Sequence, residues 1–389
     1  MVVLLKELLG TVHRRLFALR WQATSTRWPA TQMRARPSAD ALWLSGFLSE
    51  PLGIGRAGQL TALALENAGY TVLRDDLRPL HRRLLTRKPE PFAEDAPIWI
   101  IHGNPPEAKI ALFARDPDQW AHMYRIAYWV WESDLAPADW VAIAQWFHEI
   151  WVPSAFARDA FQRAFERAGQ TDLGDKLRVM PHPVPIKSVS PGAHHFVRVL
   201  TLFDPRSDLE RKNPAAVVRA WQLAFPDPTS AQLIIKTYEA AETHATFKAL
   251  LSQAGNRSDI VFQCETLDIE ATEQLIANAD VLISLHRGEG FGLPLAEAMA
   301  AGVPVIATGW SGNMEFMDAN TAKLVPYHLI PANVRYNGPD AQWAEPDVAA
   351  AAGALKHLFE NANARRALGK RGREAIARLH VPWQREGLF

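Results

Sequence analysis

Residues 284–301 read Ser-Leu-His-Arg-Gly-Glu-Gly-Phe-Gly-Leu-Pro-Leu-Ala-Glu-Ala-Met-Ala-Ala, and this stretch decides how the second half of the chain folds. An apolar strand over 280–285 runs directly into a turn that holds three glycines. A helix is predicted to begin beside Pro294, because proline is tolerated in a first helical turn. Glycine allows the backbone to approach a ligand closely, and the first N–H groups of a helix lack intrahelical partners. The turn therefore predicts an anion site, suited to phosphate.

Two carboxylates frame this turn. Glu289 lies within it, and Glu297 lies about one helical turn into the helix, on the side that faces back to the loop. A carboxylate there repels phosphate, but it can accept two hydrogen bonds from a sugar diol. The pattern thus predicts a nucleotide-sugar site, with phosphate on the amides and hydroxyls on the acids. The end of the turn and the start of the helix supply the remaining candidate binding residues, which are Gly290, Phe291, Gly292 and Leu293.

The spacing of Glu289 and Glu297 resembles the Glu-x7-Glu motif of retaining glycosyltransferases, in particular family 4 (glycosyl transferases group 1). Two such glutamates alone are a weak signal, but the surrounding run over 288–307 makes the resemblance specific. The resemblance covers about residues 41–389, weakly in the first half and firmly in the second. It implies an α/β fold with two facing Rossmann-like domains, the GT-B architecture, and a ligand cleft between them.

Composition limits the class of protein. The 389 residues suffice for two domains, and 42 basic against 42 acidic residues predict no general attraction to nucleic acid. The single cysteine, Cys264, excludes an intramolecular disulfide and fits a reducing compartment, so we expect a cytoplasmic protein. No apolar run approaches the roughly 20 residues that a membrane helix needs.

Residues 1–37 form a basic amphipathic segment that differs from the rest of the chain. Its basic residues face a single acid, Glu7. One apolar stripe is predicted on a helix, formed by Leu5, Leu8, Leu9, Val12, Leu16 and Leu19. Such a helix can bind the inner face of an anionic membrane through residues 2–22, as a peripheral contact. It can equally dock on the protein's own surface, and the sequence leaves both interpretations open.

Strand and helix signals alternate along the predicted first domain, residues 38–185. A strand over 41–47 leads through a glycine turn into a helix, which is typical of a Rossmann-type opening. The turn lacks the complete dinucleotide spacing, which argues against a nicotinamide cofactor. The resemblance implies that Gly53 and Gly55 in this turn line the cleft near the donor phosphates and the acceptor. A later strand is predicted over 125–132.

A second domain is predicted over residues 193–379. The Pro- and Gly-rich stretch at 183–192 is interpreted as the linker, and the strand–helix alternation restarts after it. In the resembled family the last helix returns to the first domain, and residues 380–389 are the candidate for that segment.

Cations follow the first strands of the second domain. A basic pair there can neutralise a diphosphate leaving group as its charge grows. Arg206 and Lys212 match the spacing of the family's Arg and Lys, and Arg211 is a rival for either role. The alternative is that these basic residues lie in a turn that leads into a helix, with their charges exposed to solvent. Lys236 ends the next strand, at the sheet edge where ligands bind, and is a candidate phosphate contact. No cofactor and no metal are expected.

The first domain contributes two candidate catalytic residues, His102 and Glu132. Members of the family carry a histidine after the strand that is predicted here to end in Glu132, near the sugar's primary hydroxyl. Glu132 can take that role, orient the acceptor, or simply cap a helix or pair with an arginine. The turn Ser311-Gly-Asn313 corresponds to a small Gly-rich turn near the donor, or is an ordinary loop. His286 can contact the ligand or serve as a structural residue.

The resemblance implies a retaining transfer of a hexose from a nucleotide diphosphate sugar to a saccharide or lipid-linked saccharide acceptor, in polysaccharide or glycoconjugate biosynthesis. In the family's mechanism the departing diphosphate helps to deprotonate the acceptor hydroxyl. Two alternatives stay open at this point: a nucleotide-sugar epimerase of the same architecture, and a non-catalytic subunit that binds nucleotide sugar.

Overall fold

The structure is a computed structural model, and it describes residues 16–28, 31, 34–49, 53–81, 88–186, 196–204, 207–238 and 245–389. Within these residues the chain forms two six-stranded parallel sheets and one two-stranded antiparallel sheet. The expectation of two Rossmann-like α/β domains is confirmed.

The first sheet has the strand order β2-β1-β3-β4-β5-β6. Its strands are β1 (Ala41–Gly46), β2 (Thr71–Asp76), β3 (Ile98–His102), β4 (Tyr124–Tyr128), β5 (Glu149–Val152) and β6 (Leu177–Val179). All residues of β3 and β4 are buried, because helices cover both faces of a parallel sheet. The strand predicted over 125–132 is shorter in the structure. It ends at Tyr128, and residues 129–132 belong to the loop that follows.

The helices of the first half are α1 (16–25 in the described chain), α2 (Ile54–Asn67), α3 (Arg78–His81), α4 (Pro105–Ala114), α5 (Pro117–Trp120), α6 (Ala138–Val141) and α7 (Ala155–Arg167). Local sequence explains where several begin. Two prolines open α4, where a missing N–H costs nothing, and the Ser154 hydroxyl accepts the N–H of Ala157 at the start of α7.

The second sheet has the order β12-β11-β10-β7-β8-β9. Its strands are β7 (Arg198–Leu202), β8 (Gln232–Lys236), β9 (Ile260–Gln263), β10 (Val281–Ser284), β11 (Val305–Thr308) and β12 (Lys323–Val325), and the antiparallel pair is β13 (Tyr327–Pro331) with β14 (Gln342–Pro346). The helices are α8 (Leu209–Lys212), α9 (Pro214–Ala224), α10 (Ala245–Ala254), α11 (Ile269–Ala277), α12 (Leu293–Ala300), α13 (Val348–Glu360), α14 (Ala362–Ala377) and α15 (Arg385–Leu388).

The described part of the N-terminal segment packs on the first domain. Phe17 of α1 contacts Phe113 edge to face, and Trp21 contacts the buried Trp28 in the same way. Trp28 in turn contacts Trp120 at a centroid distance of 5.2 Å. Leu16 and Leu19 of the apolar stripe remain exposed. The rest of the stripe lies outside the described residues.

The chain's last residues lie against the first sheet. Trp383 contacts Trp151, and Phe389 contacts Tyr70 edge to face at 5.2 Å. The carbonyl of Leu388 accepts hydrogen bonds from Arg36 and Arg178. Among the described residues, no helix combines the length and the apolar character that crossing a membrane requires.

Candidate active site

Sheet topology places the candidate site. In an open parallel sheet, ligands bind beyond the carboxyl ends of the strands where the strand order reverses. In the second sheet that point lies between β7 and β10, so the loops after Leu202 and Ser284 meet there. These loops carry Lys212 and Glu289. In the first sheet the corresponding point lies between β1 and β3, whose loops carry the Gly53 turn and the residues after His102.

The glycine turn has the predicted form. Gly292 has φ 91°, a left-handed conformation that glycine adopts without strain, and α12 begins immediately after it with Pro294 in the first turn. The four residues Gly290, Phe291, Gly292 and Leu293 thus end the turn and open α12. Pro294 has no N–H and the Leu295 N–H donates to the Gly292 carbonyl, so the N–H groups that this helix start can offer a ligand are those before Pro294.

Glu289 is buried and forms an ion pair with the partly buried Lys212. The Lys212 ammonium donates to Glu289 Oε1 at 2.6 Å, and Arg211 Nη1 lies 3.3 Å from Oε2. Burial favours the neutral acid, but the charges of Lys212 and Arg211 outweigh it and lower the pKa of Glu289 to about 2. Burial also lowers the pKa of Lys212, and the charge of Glu289 opposes this. At neutral pH Glu289 is therefore a carboxylate and a very weak base.

Arg211 lies beneath this pair and is only 2% exposed. Its guanidinium donates to the Gly288 carbonyl at 2.6 Å and to the Tyr336 hydroxyl at 3.2 Å. It also lies 3.6 Å from a carboxylate oxygen of Glu132 in the first domain. Burial alone would lower the pKa of Arg211, but the two carboxylates raise it, so the guanidinium stays charged. In this arrangement Arg211 is bound by protein groups and joins Glu289 to Glu132.

The glycine turn touches the first domain directly. A Cβ atom on Gly288 would lie 2.3 Å from the Glu132 carbonyl oxygen, and one on Gly290 would lie 2.3 Å from Val130 Cγ1. The Ser154 hydroxyl donates to the Gly290 carbonyl at 2.7 Å. Only glycine fits at these positions because the loop after β4 packs on the turn. Glu132, at 26% side-chain exposure, thus lies at the domain contact.

Glu297 is bound by an arginine of the first domain. Arg56 Nε donates to Glu297 Oε1 at 3.1 Å, and Arg56 Nη2 donates to Glu273 Oε1 at 2.6 Å. Arg56 is not among the site residues predicted from the sequence. A usable signal was present, because Arg56 is the charged residue of the turn that contains Gly53 and Gly55.

The first-domain candidates lie at the ends of β1 and β3, at the carboxyl edge of the first sheet. Gly53 has φ 57° and precedes α2, and Gly55 is buried in the first turn of that helix. His102 ends β3, stacks on Tyr128 at 4.4 Å and is buried. Burial lowers the pKa of His102 to about 3, so its ring is neutral at physiological pH. Within the described part of the chain, neither ring nitrogen has a hydrogen-bond partner.

Three further sequence candidates have the following positions. Lys236 is buried, and its ammonium donates to the carbonyls of Thr237 and Glu265, which ties the ends of β8 and β9 together. Burial lowers its pKa. His286 is buried with Nε2 3.1 Å from Asn313 Oδ1. Arg206 lies outside the described residues.

Among the described residues, no group of three or more His, Cys, Asp and Glu side chains is placed to hold a metal ion. The cations next to Glu289 are the side chains of Arg211 and Lys212.

A family model described as "Family 4 Glycosyltransferase in conflict systems" matches residues 158–386 of the chain. The chain belongs to this family. The match includes both glutamates of the motif and the loop with Arg211 and Lys212, and it confirms the resemblance found in the sequence. This family 4 glycosyltransferase has no match among curated protein sequences.

Solved structures share the fold at low sequence identity. Sucrose-phosphate synthase from Thermosynechococcus elongatus has a TM-score of 0.62 and 18% identity, over 88% of this chain and 95% of that chain. Anabaena HepE, in complex with UDP and glucose, has a TM-score of 0.60 and 15% identity, over 89% and 97%. A mutant of TarM from S. aureus, in complex with fondaparinux, alpha-GlcNAc-glycerol and UDP, has a TM-score of 0.53 and 14% identity, over 72% of this chain and only 52% of that chain. These similarities show the GT-B fold.

Proposed function

We propose that this family 4 glycosyltransferase transfers a hexose, with retention of configuration, from a nucleoside diphosphate sugar to a saccharide or lipid-linked saccharide acceptor. The observation that carries the proposal is the Lys212–Glu289 ion pair at the switch point of the second sheet, beside the amides that open α12. A diphosphate bound to those amides lies within reach of Lys212. The transferred sugar then lies within reach of Glu289.

The charges of Lys212 and Glu289 favour different roles for the two side chains in the reaction. Phosphate charge grows as the glycosidic bond breaks, so a cation beside it stabilises the transition state more than the ground state. With its pKa near 2, Glu289 is too weak a base to remove an acceptor proton efficiently at neutral pH. It instead accepts hydrogen bonds from the sugar hydroxyls. The departing diphosphate is then the base, as in the mechanism that the family implies.

Glu297 completes the donor site in this proposal. Its carboxylate lies on α12, one turn after the glycine turn, and accepts the two ribose hydroxyls. In the structure Arg56 donates a hydrogen bond to the same carboxylate. Two of the structurally similar proteins carry UDP in their complexes, HepE and TarM. UDP-sugars are therefore the first donors to test.

We also propose that the protein acts without a metal and associates peripherally with anionic membrane. For the metal, Lys212 and the α12 amides supply the positive charge that a metal would otherwise supply. For the membrane, Leu16 and Leu19 of the basic N-terminal segment are exposed although the neighbouring Phe17 packs inward. A cytoplasmic location accompanies this proposal.

The test begins with donor binding. Thermal unfolding is measured with UDP-glucose, UDP-N-acetylglucosamine, GDP-mannose and ADP-glucose, because a ligand that binds only the folded state raises the melting temperature. The donor that does so is then incubated with and without a panel of saccharide acceptors, in buffer with EDTA. Transfer that needs an acceptor and survives EDTA supports the proposal.

Other outcomes identify the alternatives. A changed sugar without any acceptor indicates an epimerase. Binding without turnover on any acceptor tested indicates a non-catalytic binding subunit. Loss of activity in EDTA with rescue by Mn²⁺ overturns metal independence alone.

A further inference from the structure

Ser311 has a backbone conformation that side chains rarely adopt. Its φ is 82° and its ψ is −155°, which lies in a region populated almost only by glycine. Among the described residues, the other non-glycine residues with positive φ are Asn213 and Asn337. Both lie in the ordinary left-handed region, which asparagine tolerates. Ser311 is thus the strained exception, and glycine would fit its position without strain.

The serine hydroxyl makes a contact that glycine cannot make. Ser311 Oγ accepts the backbone N–H of Glu289 at 2.9 Å and donates to Asn313 Oδ1 at 3.3 Å. Asn313 is fully buried and is held by Thr308, whose carbonyl accepts from Asn313 Nδ2 at 3.0 Å. The hydroxyl therefore has a fixed support when it binds Glu289.

Gly312, the residue after Ser311, binds the carbonyl side of Glu289. Its N–H donates to the Glu289 carbonyl at 2.8 Å, and a Cβ on Gly312 would lie 2.1 Å from the Gly290 carbonyl oxygen. Consecutive residues of one turn thus bind the N–H and the C=O of Glu289. With its backbone fixed at both ends, Glu289 directs its carboxylate to Lys212.

We propose that Ser311 is a positioning residue for Glu289, and that its strained backbone is retained because its hydroxyl fixes the Glu289 peptide for the reaction. The inference rests on the proposed role of Glu289 at the transferred sugar. Strain that persists beside a reacting group is consistent with a functional cause, because a purely structural turn would be more stable with glycine.

Ser311→Gly and Ser311→Ala separate the two explanations. Both remove the hydroxyl, but only glycine relieves the backbone strain, so Ser311→Gly is expected to melt at a higher temperature than Ser311→Ala. Turnover is expected to fall by about tenfold to 100-fold in both, because a small displacement of a reacting group is enough for such a loss. The affinity for free nucleotide is expected to stay within about threefold.

A matched control and a structural readout complete the experiment. Thr321→Ala also removes a buried hydroxyl that accepts a backbone N–H, that of Asp318, but away from the glycine turn. It is expected to lower the melting temperature and leave turnover unchanged. Amide hydrogen exchange of the peptide 286–292 is expected to accelerate in both Ser311 variants and not in Thr321→Ala.

The outcomes are distinct. Full turnover in Ser311→Gly, with an active wild type, overturns the inference and leaves the proposed function intact. Turnover that simply follows the melting temperature across the three variants also overturns it. A wild type without transferase activity on any donor instead removes the proposed function on which the inference rests.

Discussion

The Lys212 ammonium lies 2.6 Å from Glu289 Oε1, although 77 residues separate them in the chain. The two residues follow β7 and β10, which are neighbours in the second sheet. The pair therefore exists because the strand order brings two loops together at one sheet edge.

Lys212→Ala is expected to reduce turnover more than nucleotide affinity. Diphosphate charge grows toward the transition state, so kcat should fall by at least about tenfold, or about 1.4 kcal/mol, with a smaller change in the dissociation constant. Steady-state kinetics and calorimetry with free nucleotide measure the two quantities. Equal losses in both would mean that Lys212 only anchors the ground state.

Glu289→Gln is expected to spare nucleotide binding, depress turnover and change the pH dependence of stability. Because the folded-state pKa of Glu289 is lowered from 4.5 to about 2, the carboxylate stabilises the fold above pH 4.5 by about 3 kcal/mol. This contribution is lost as the pH falls from 4.5 toward 2. Urea unfolding from pH 7 to pH 3 measures the free energy of unfolding of the wild type and of Glu289→Gln. The difference between the two should be constant above about pH 5.5 and shrink below it. Glu270→Gln, an exposed site, controls for the removed charge. A gap that does not depend on pH would contradict the assignment.

Glu297→Ala is expected to weaken donor and free nucleotide binding together. Loss of charge-assisted hydrogen bonds to the ribose costs on the order of 1.5–3 kcal/mol, or about 10–150-fold in affinity. Glu273→Ala is the matched control, since it removes the other carboxylate bound to Arg56 and leaves Glu297 in place. Its nucleotide affinity should stay within about threefold. An unchanged dissociation constant in folded Glu297→Ala would refute the ribose contact.

Glu132→Ala is expected to reduce turnover at least tenfold, about 1.4 kcal/mol, and to remain folded because Glu289 still pairs with the buried Arg211. Glu132 is partly exposed at the domain contact and lies 3.6 Å from Arg211, so its carboxylate can reach a ligand in the cleft. Glu132→Gln keeps the size and the hydrogen-bonding capacity and isolates the effect of charge. Should both variants keep full turnover, Glu132 is a structural partner of Arg211, and His102 becomes the stronger candidate in the first domain.

Truncations separate membrane contact from packing in the N-terminal segment. Deleting residues 2–15 is expected to release the protein from anionic vesicles at low salt and to leave turnover on soluble acceptors intact. Deleting residues 2–22 also removes Phe17 and Trp21 from the aromatic cluster, and should lower the melting temperature as well. Vesicle sedimentation and thermal unfolding measure these effects. If the protein without a deletion does not bind vesicles at low salt, the role of the segment is to pack on the first domain.

Local sequence patterns were enough to predict the sheet class and the position of the glycine turn. Alternating strands and helices specify a parallel sheet, and the carboxyl ends of its strands specify where a ligand binds. The turn with Glu289, Gly292 and Pro294 is likewise local, because its glycines and proline constrain the backbone at their own positions. These features depend on neighbours in the chain, so a reader of the sequence can find them.

The contacts between the two domains, by contrast, could be found only in the folded protein. Arg56 reaches Glu297 over a separation of 241 residues, and Arg211 joins Glu289 to Glu132 across two domains. Ser311 looks like an ordinary loop residue in the sequence, yet its hydroxyl binds the Glu289 peptide at the cost of a strained backbone. No local sequence pattern predicts these contacts, because each joins elements that are far apart in the chain. Their relative positions are set by the two sheets and by the contact between the domains.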